Sequence, residues 1–195
     1  MDKFTILGIG NSGNNIVNYI SDKLDKDNCD LACINTDKQL LEFSKTDCKL
    51  QIGKNTCASF GCGGQVSTGK SAAEESKDDI KNFLKDVKQL IIVSGFGGGC
   101  GTGASSVVAQ YAVQMGIKTS CILTVPFSFE GKKRRDQALE GIELMKDVVN
   151  GKFILFYCSE ILNNLEGKSV GLCEGFKLVD IKVYEVLKNH IDNNY

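Results

Sequence analysis

Residues 94–103 read SGFGGGCGTG and lie between an apolar run at 89–93 and a helix-like segment at 104–113. A strand that turns through glycines into a helix start exposes several backbone N–H groups at one point. The helix macrodipole adds roughly half a positive charge there. Such a turn seats a phosphate. Glycine suits it because a Cβ would block the anion and because some positions call for positive φ. Four further loops of unusual composition follow apolar runs: GIGNSG at 8–13, Asn35, Thr36 and Asp37, GCGG at 61–64, and PFSFEG at 126–131.

Those loops need a frame to bring them together. Residues 4–7, 31–34, 49–52, 89–93, 119–125 and 153–157 have the length and composition of buried strands. Between them, 14–24, 70–87, 104–113, 135–149 and 174–191 carry apolar residues at helical spacing. The alternation predicts a three-layer α/β fold, a Rossmann-like, mostly parallel sheet with helices on both faces. Ligands bind beyond the carboxyl ends of such strands. All five loops fall there, and a nucleotide site is the expectation.

Composition bounds the alternatives. A chain of 195 residues with 42% apolar and 24% charged residues fits one globular domain. Lys and Arg number 23 against 24 Asp and Glu, which argues against a nucleic-acid binder. The sequence enters its first strand at Phe4 without a leader, and no apolar run is long enough to cross a bilayer. Nine cysteines without C-x-x-C spacing, and His190 as the single histidine, read as reduced thiols in a cytoplasmic protein. They argue against a zinc site, against any other metal site, and against Ser-His-Asp or Cys-His chemistry.

The nucleotide itself is open at this level. Gly8, Gly10 and Gly13 match the G-x-G-x-x-G dinucleotide fingerprint, with Asp37 as its ribose-binding acid, which would make an NAD(P)-binding Rossmann enzyme. That reading gives no role to residues 94–103 or 61–64. A P-loop is not present, because Gly69, Lys70 and Ser71 lack the earlier glycine at the required spacing.

GGGCGTG at 97–103 resembles the tubulin/FtsZ signature GGGTGTG. Further segments resemble FtsZ in the same order: GIGNSGNN at 8–15, NTDKQLL at 35–41, FGCGGQVSTGKSAAEES at 60–76 and PFSFEGKKR at 126–134. The resemblance implies a GTP-binding domain, holding GTP or GDP with Mg²⁺, that assembles head-to-tail into protofilaments in cell division. Asn11, Ser12, Gly13, Asn14 and Asn15 would form the first phosphate loop. Gly61, Cys62, Gly63 and Gly64 would approach the γ-phosphate. Gly97, Gly98, Gly99, Cys100, Gly101, Thr102 and Gly103 would wrap the phosphates. Glu130 and Arg134 fall on the family's ribose-contacting acid and base. Phe176 matches the aromatic that packs on guanine. Asp180, one helical turn on, matches the carboxylate that accepts from the base's N1–H and N2 amino groups.

Departures from the pattern carry their own expectations. Asn11, Ser12 and Asn14 replace most of the family's first glycine run, and asparagine's tolerance of positive φ is the expected means of keeping the turn. Cys100 stands for the signature threonine, and Cys158 falls near the family's guanine-contacting asparagine, which together imply weaker GTP binding. By the resemblance, 1–195 is one GTP-binding domain in which 174–195 starts the central helix. The Asn-x-Asp catalytic loop and the second domain are then expected to be missing, with no catalytic residue in this chain. GTP would be hydrolysed slowly, or only when a second copy or a full-length FtsZ-type subunit docks on the nucleotide face. An interaction or filament-capping protein with a degenerate pocket is the alternative. With no second domain to cover them, Val183, Val186, Leu187 and Ile191 are expected to be an open apolar stripe that marks a partner site or an instability.

Overall fold

The computed structural model describes residues 3–25, 27–150, 152–163 and 171–192. Six strands form one sheet: β1 (Phe4–Ile9), β2 (Cys29–Asn35), β3 (Cys48–Gln51), β4 (Gln89–Gly95), β5 (Lys118–Val125) and β6 (Phe153–Tyr157). Their order is β3-β2-β1-β4-β5-β6, and every neighbouring pair is parallel. The helices are α1 (Gly10–Ile20), α2 (Lys38–Glu42), α3 (Val66–Glu75), α4 (Lys77–Phe83), α5 (Ser105–Gln114), α6 (Lys132–Val148), α7 (Cys158–Asn163) and α8 (Leu172–Asp192). No helix among the described residues is long and apolar enough to cross a membrane.

Successive side chains of a strand point to opposite faces, and each face here has its own core. Leu7, Ile9, Leu90, Ile92 and Leu123 pack under α3 to α6, with Ala72, Ile80, Val108 and Ile142 from the helices. Phe4, Ile6, Ile91, Val93 and Ile122 pack under α1 and α8, with Ile16, Val17, Ile20, Val183 and Leu187. A parallel sheet covered on both faces is the expected three-layer α/β architecture.

Four local expectations need correction. The segment at 70–87 is two helices, α3 and α4, broken at Ser76, whose hydroxyl accepts the Gly53 N–H at 2.9 Å. Much of the 8–13 turn is the first turn of α1, and Asn11, Ser12 and Asn14 are helical. Gly10 alone there takes positive φ, 71°. The asparagines therefore serve through their amides, not through backbone tolerance. Residues Gly99–Ala104 wind as a π-helical turn that runs straight into α5, with no open loop between. Finally, the α8 stripe is covered: Val183, Leu187 and Ile191 are buried against the β1 and α1 side chains, and Val186 packs at their edge. Residues 193–195, expected to continue the closing helix, lie outside the described residues.

Candidate functional site

The strand order reverses between β1 and β4, so the loops leaving these two strands diverge and open a crevice. Their backbones nearly touch across it. A Cβ on Gly10 would stand 2.8 Å from the Gly101 nitrogen, and one on Gly101 would stand 2.3 Å from the Gly95 oxygen. Ser94, fully buried at the end of β4, ties the two loops. Its hydroxyl lies 3.0 Å from the carbonyl oxygens of both Ile9 and Gly101. Ser94→Ala should therefore cost about 1 kcal/mol in urea unfolding, and an unchanged midpoint would show that the tie contributes nothing.

A cavity of about 410 Å³ opens at this point, within the range of small-molecule sites. At one end lie Asn11, Ser12 and Asn15 of α1, the backbone of Gly61, Cys62, Gly63 and Gly64, and the turn of Gly98, Gly99, Cys100 and Gly101. Three helical segments of this end begin without a side-chain cap: α1 after Ile9, α3 after Gln65, and the π-helical turn after Gly98. Their first N–H groups and their dipoles are left for an anion. By contrast α2 is capped, with Asp37 Oδ1 accepting from the Leu40 N–H at 3.1 Å.

Behind this rim sit the other residues of the same motifs. Asn14 is buried, and with its amide oriented by its partners it donates to the carbonyls of Gly8 (3.1 Å) and Ile34 (3.2 Å). Its oxygen accepts from Asn35 Nδ2, which also donates to Asn11 Oδ1 at 3.0 Å. Gly13 is pressed on β4, where a Cβ would meet the Val93 oxygen at 2.3 Å. Thr102 Oγ1 accepts the Gly97 N–H at 2.8 Å, and Gly97 (φ 96°) backs onto the Arg134 carbonyl. Gly103 lies against the first turn of α3. Gly13, Asn14, Gly97, Thr102 and Gly103 thus shape the rim without lining the cavity.

The other end of the cavity is aromatic and acidic. Glu130 Oε2 accepts from Arg134 Nη1 at 2.6 Å, while its Oε1 accepts the Phe127 N–H at 3.0 Å. Phe127 is buried, and Phe176 stands edge-on to it with ring centroids 5.0 Å apart, leaving Phe176 part-exposed at the cavity wall. Asp180 lies one turn further along α8, and burial pushes its carboxyl up to about 6. Cys158 lines the same end, and burial, reinforced by Glu130 and Asp180, pushes its thiol up to about 12.

One cluster has no counterpart in the reading of the sequence. Cys57 and Cys62 bring their Sγ atoms to 3.5 Å, and Thr36 Oγ1 lies 3.3 Å from the Cys62 sulfur. Cys100 hydrogen-bonds to Cys62 as well. That bond, opposed by burial and aided by Thr36 and Cys57, brings the Cys62 thiol down to about 6. Burial, then the Cys62 contact, pushes Cys57 up to about 12, and Cys100 is raised chiefly by its bond to Cys62. No spacing rule joins Thr36 and Cys100 to the Cys57 and Cys62 pair, so folding alone reveals the cluster. Among the described residues no group of His, Cys, Asp or Glu is arranged to hold a metal ion.

The model of the Tubulin/FtsZ family, GTPase domain, matches residues 3–162. An FtsZ dimer structure from M. jannaschii, described as empty, superposes with a TM-score of 0.91 at 31% identity, covering 98% of this chain and 55% of that one. A GTPγS-bound protofilament of CetZ2 from Haloferax volcanii superposes at 0.85 with 17% identity, covering 97% and 58%. A GDP-bound CetZ1 monomer from the same organism gives 0.81 at 20%, covering 94% and 58%. At those lower identities the CetZ likeness is one of fold. The chain spans about half the length of these structures.

Proposed function

The chain belongs to the Tubulin/FtsZ family, and on that premise we propose that it binds GTP or GDP in the cavity at the β1/β4 switch point. The observation that carries this reading is the convergence of three uncapped helical N-termini on a glycine rim. A triphosphate suits that arrangement. The phosphate charge is met by backbone N–H groups and helix dipoles, with no lysine among the described residues that line the cavity. Mg²⁺ would ride on the phosphate oxygens and neutralise their charge.

Each side chain then has a task. Asn11, Ser12 and Asn15 offer polar groups beside the first rim, and residues 61–64 and 98–101 hold the phosphate chain. Glu130 and Arg134 meet the ribose, Phe176 stacks on the base, and Asp180 accepts from two guanine donors that adenine lacks. Asp37 lines the cavity near the glycine rim, and its Oδ1 is engaged in capping α2. Attack by water on the γ-phosphate would then draw its acidic groups from an apposed subunit. The chain would bind GTP, turn it over slowly by itself, and assemble head-to-tail with another copy or with a longer FtsZ-type subunit, in the setting of cell division.

The deciding experiment is a thermal-shift titration with Mg²⁺-GTP, with ATP and NAD as controls. A ligand that binds only the native chain raises Tm as its concentration passes Kd. The expected result is a rise of several degrees with GTP alone. A rise with NAD in its place would point to a Rossmann enzyme, and no rise with any of them to a fold retained for its surfaces.

A further inference from the structure

The glycine rim holds phosphate through backbone N–H groups, and that task leaves the thiols of Cys57, Cys62 and Cys100 unused. Their placement has a chemistry of its own. Cys57 and Cys62 bracket a tight turn in which Ala58 and Ser59 both take positive φ, 47° and 67°, and the Phe60 N–H donates to the Cys57 carbonyl at 2.9 Å. Two consecutive non-glycine residues in that region mark a tightly wound turn, and it leaves the two sulfurs 3.5 Å apart. Cys62 faces the cavity and Cys57 lies behind it. The π-helical turn leans directly on Cys62, since a Cβ on Gly99 would stand 2.6 Å from the Cys62 Cβ.

We propose that Cys62 is a peroxide-reactive thiolate that closes a disulfide to Cys57, and that this bond releases nucleotide by reshaping the rim at residues 61–64. The hydrogen bonds around Cys62 favour its ionised form, whereas its partner Cys57 stays protonated until called on. In the first step the Cys62 sulfur attacks one oxygen of hydrogen peroxide. The O–O bond breaks, hydroxide leaves and takes a proton, and Cys62 becomes a sulfenic acid. Next the Cys57 sulfur gives up its proton and attacks the Cys62 sulfur. The S–S bond forms, the S–O bond breaks and water departs. The two sulfurs together lose two electrons, and one peroxide becomes two waters. A bonded pair sits at about 2.05 Å, so the turn must contract by over an ångström and draw Cys62 from Thr36 and Gly99. Each hydrogen bond from the rim to a charged phosphate that is lost in this way is worth about tenfold or more in affinity.

Lys54 and Lys70 bracket both residues with no basic residue between, so trypsin releases Cys57 and Cys62 in one peptide, 55–70, and Cys100 in another, 89–118. After brief peroxide treatment of the whole chain, peptide 55–70 should lack two hydrogens and resist alkylation at both cysteines. Other buried thiols should remain free. GTP affinity should fall at least about tenfold and return with dithiothreitol. Cys57→Ser should leave GTP binding by the untreated chain unchanged, and after peroxide it should hold Cys62 as a sulfenic acid that dimedone traps. Free thiols in peptide 55–70, a cross-link between 55–70 and 89–118, or a disulfide that leaves GTP affinity untouched would overturn the proposal. The affinity readout rests on the GTP reading of the cavity. A reduced chain that binds no GTP would sink that reading, while the peptide map on the wild-type chain still decides the bond.

Discussion

Asp180→Asn should lower GTP affinity roughly a hundredfold and, at neutral pH, leave the chain harder to unfold. Both effects come from one carboxylate. As the acceptor for guanine N1–H and the N2 amino group it makes two charge-assisted hydrogen bonds. Losing them, with an amide N–H₂ turned toward a donor, costs about 3 kcal/mol, and each 1.4 kcal/mol is tenfold. Selectivity over ATP should fall with it. Stability moves the other way because burial raises this carboxyl to about 6 in the native chain, against an ordinary value of 3.8. A raised folded value means that the unfolded chain ionises first. The stability linked to the protonated acid is complete below about 3.8 and is lost as pH rises through about 6. Asparagine carries no such loss, so its Tm should exceed wild type at pH 7.5 and converge with it as pH falls toward 3.8. Wild-type GTP affinity should itself weaken more steeply below about pH 6 than that of the variant, which keeps only the pH dependence of the ligand's own phosphate. A variant with lower Tm at neutral pH and normal GTP affinity would remove Asp180 from the site.

Gly69→Ala is expected to be severely damaging for a single added methyl group, destabilising by about 3 kcal/mol or more. A Cβ at Gly69 would stand 2.1 Å from the Gly99 oxygen, and one at Gly103 would stand 2.1 Å from the Val66 oxygen. Helix α3 and the π-helical turn therefore meet backbone to backbone, and no flexible side chain lies between them to move aside. The helices must part instead, carrying the residues on either side of the phosphate end with them. Urea unfolding gives the loss directly. Gly98→Ala is the natural comparison. A Cβ there meets nothing within 4 Å and points into open space at the cavity rim. That variant should unfold like wild type and bind GTP less well. Equal stability of Gly69→Ala and wild type would show that the interface yields where the geometry says it is rigid.

Much of this arrangement is legible in the sequence because it is local. Apolar runs of strand length bounded by glycine or asparagine, as at Phe4–Ile9 and Gln89–Gly95, announce their own structure. The helical spacing of Val179, Val183 and Leu187 does the same for α8. What was not legible depends mostly on contacts that form only in the folded chain. The break at Ser76 coincides with a hydrogen bond from the distant Gly53 N–H to its hydroxyl. The amides of Asn11 and Asn14 read as substitutes for glycine until Asn35 is seen beside them. Cys57 and Cys62 are two of nine scattered cysteines until the turn at Ala58 and Ser59 brings their sulfurs together. The short α7 carries too few residues for a periodic signal. In every case but α7 the missing information is a contact, not a propensity.

The position of β1 has a consequence for how the chain is made. It lies in the middle of the sheet, pairing with β2 on one side and with β4 on the other, where Phe4 meets Gln89. During synthesis at about 5–20 residues per second, β1 leaves the ribosome several seconds before that second neighbour exists. Until then one edge of an apolar strand is open, a template for wrong pairing, and the switch-point crevice has only one of its walls. The nucleotide site would thus be among the last features to form, and GTP could assist only the closing stage of folding. The emerging half-sheet is where a chaperone would be needed.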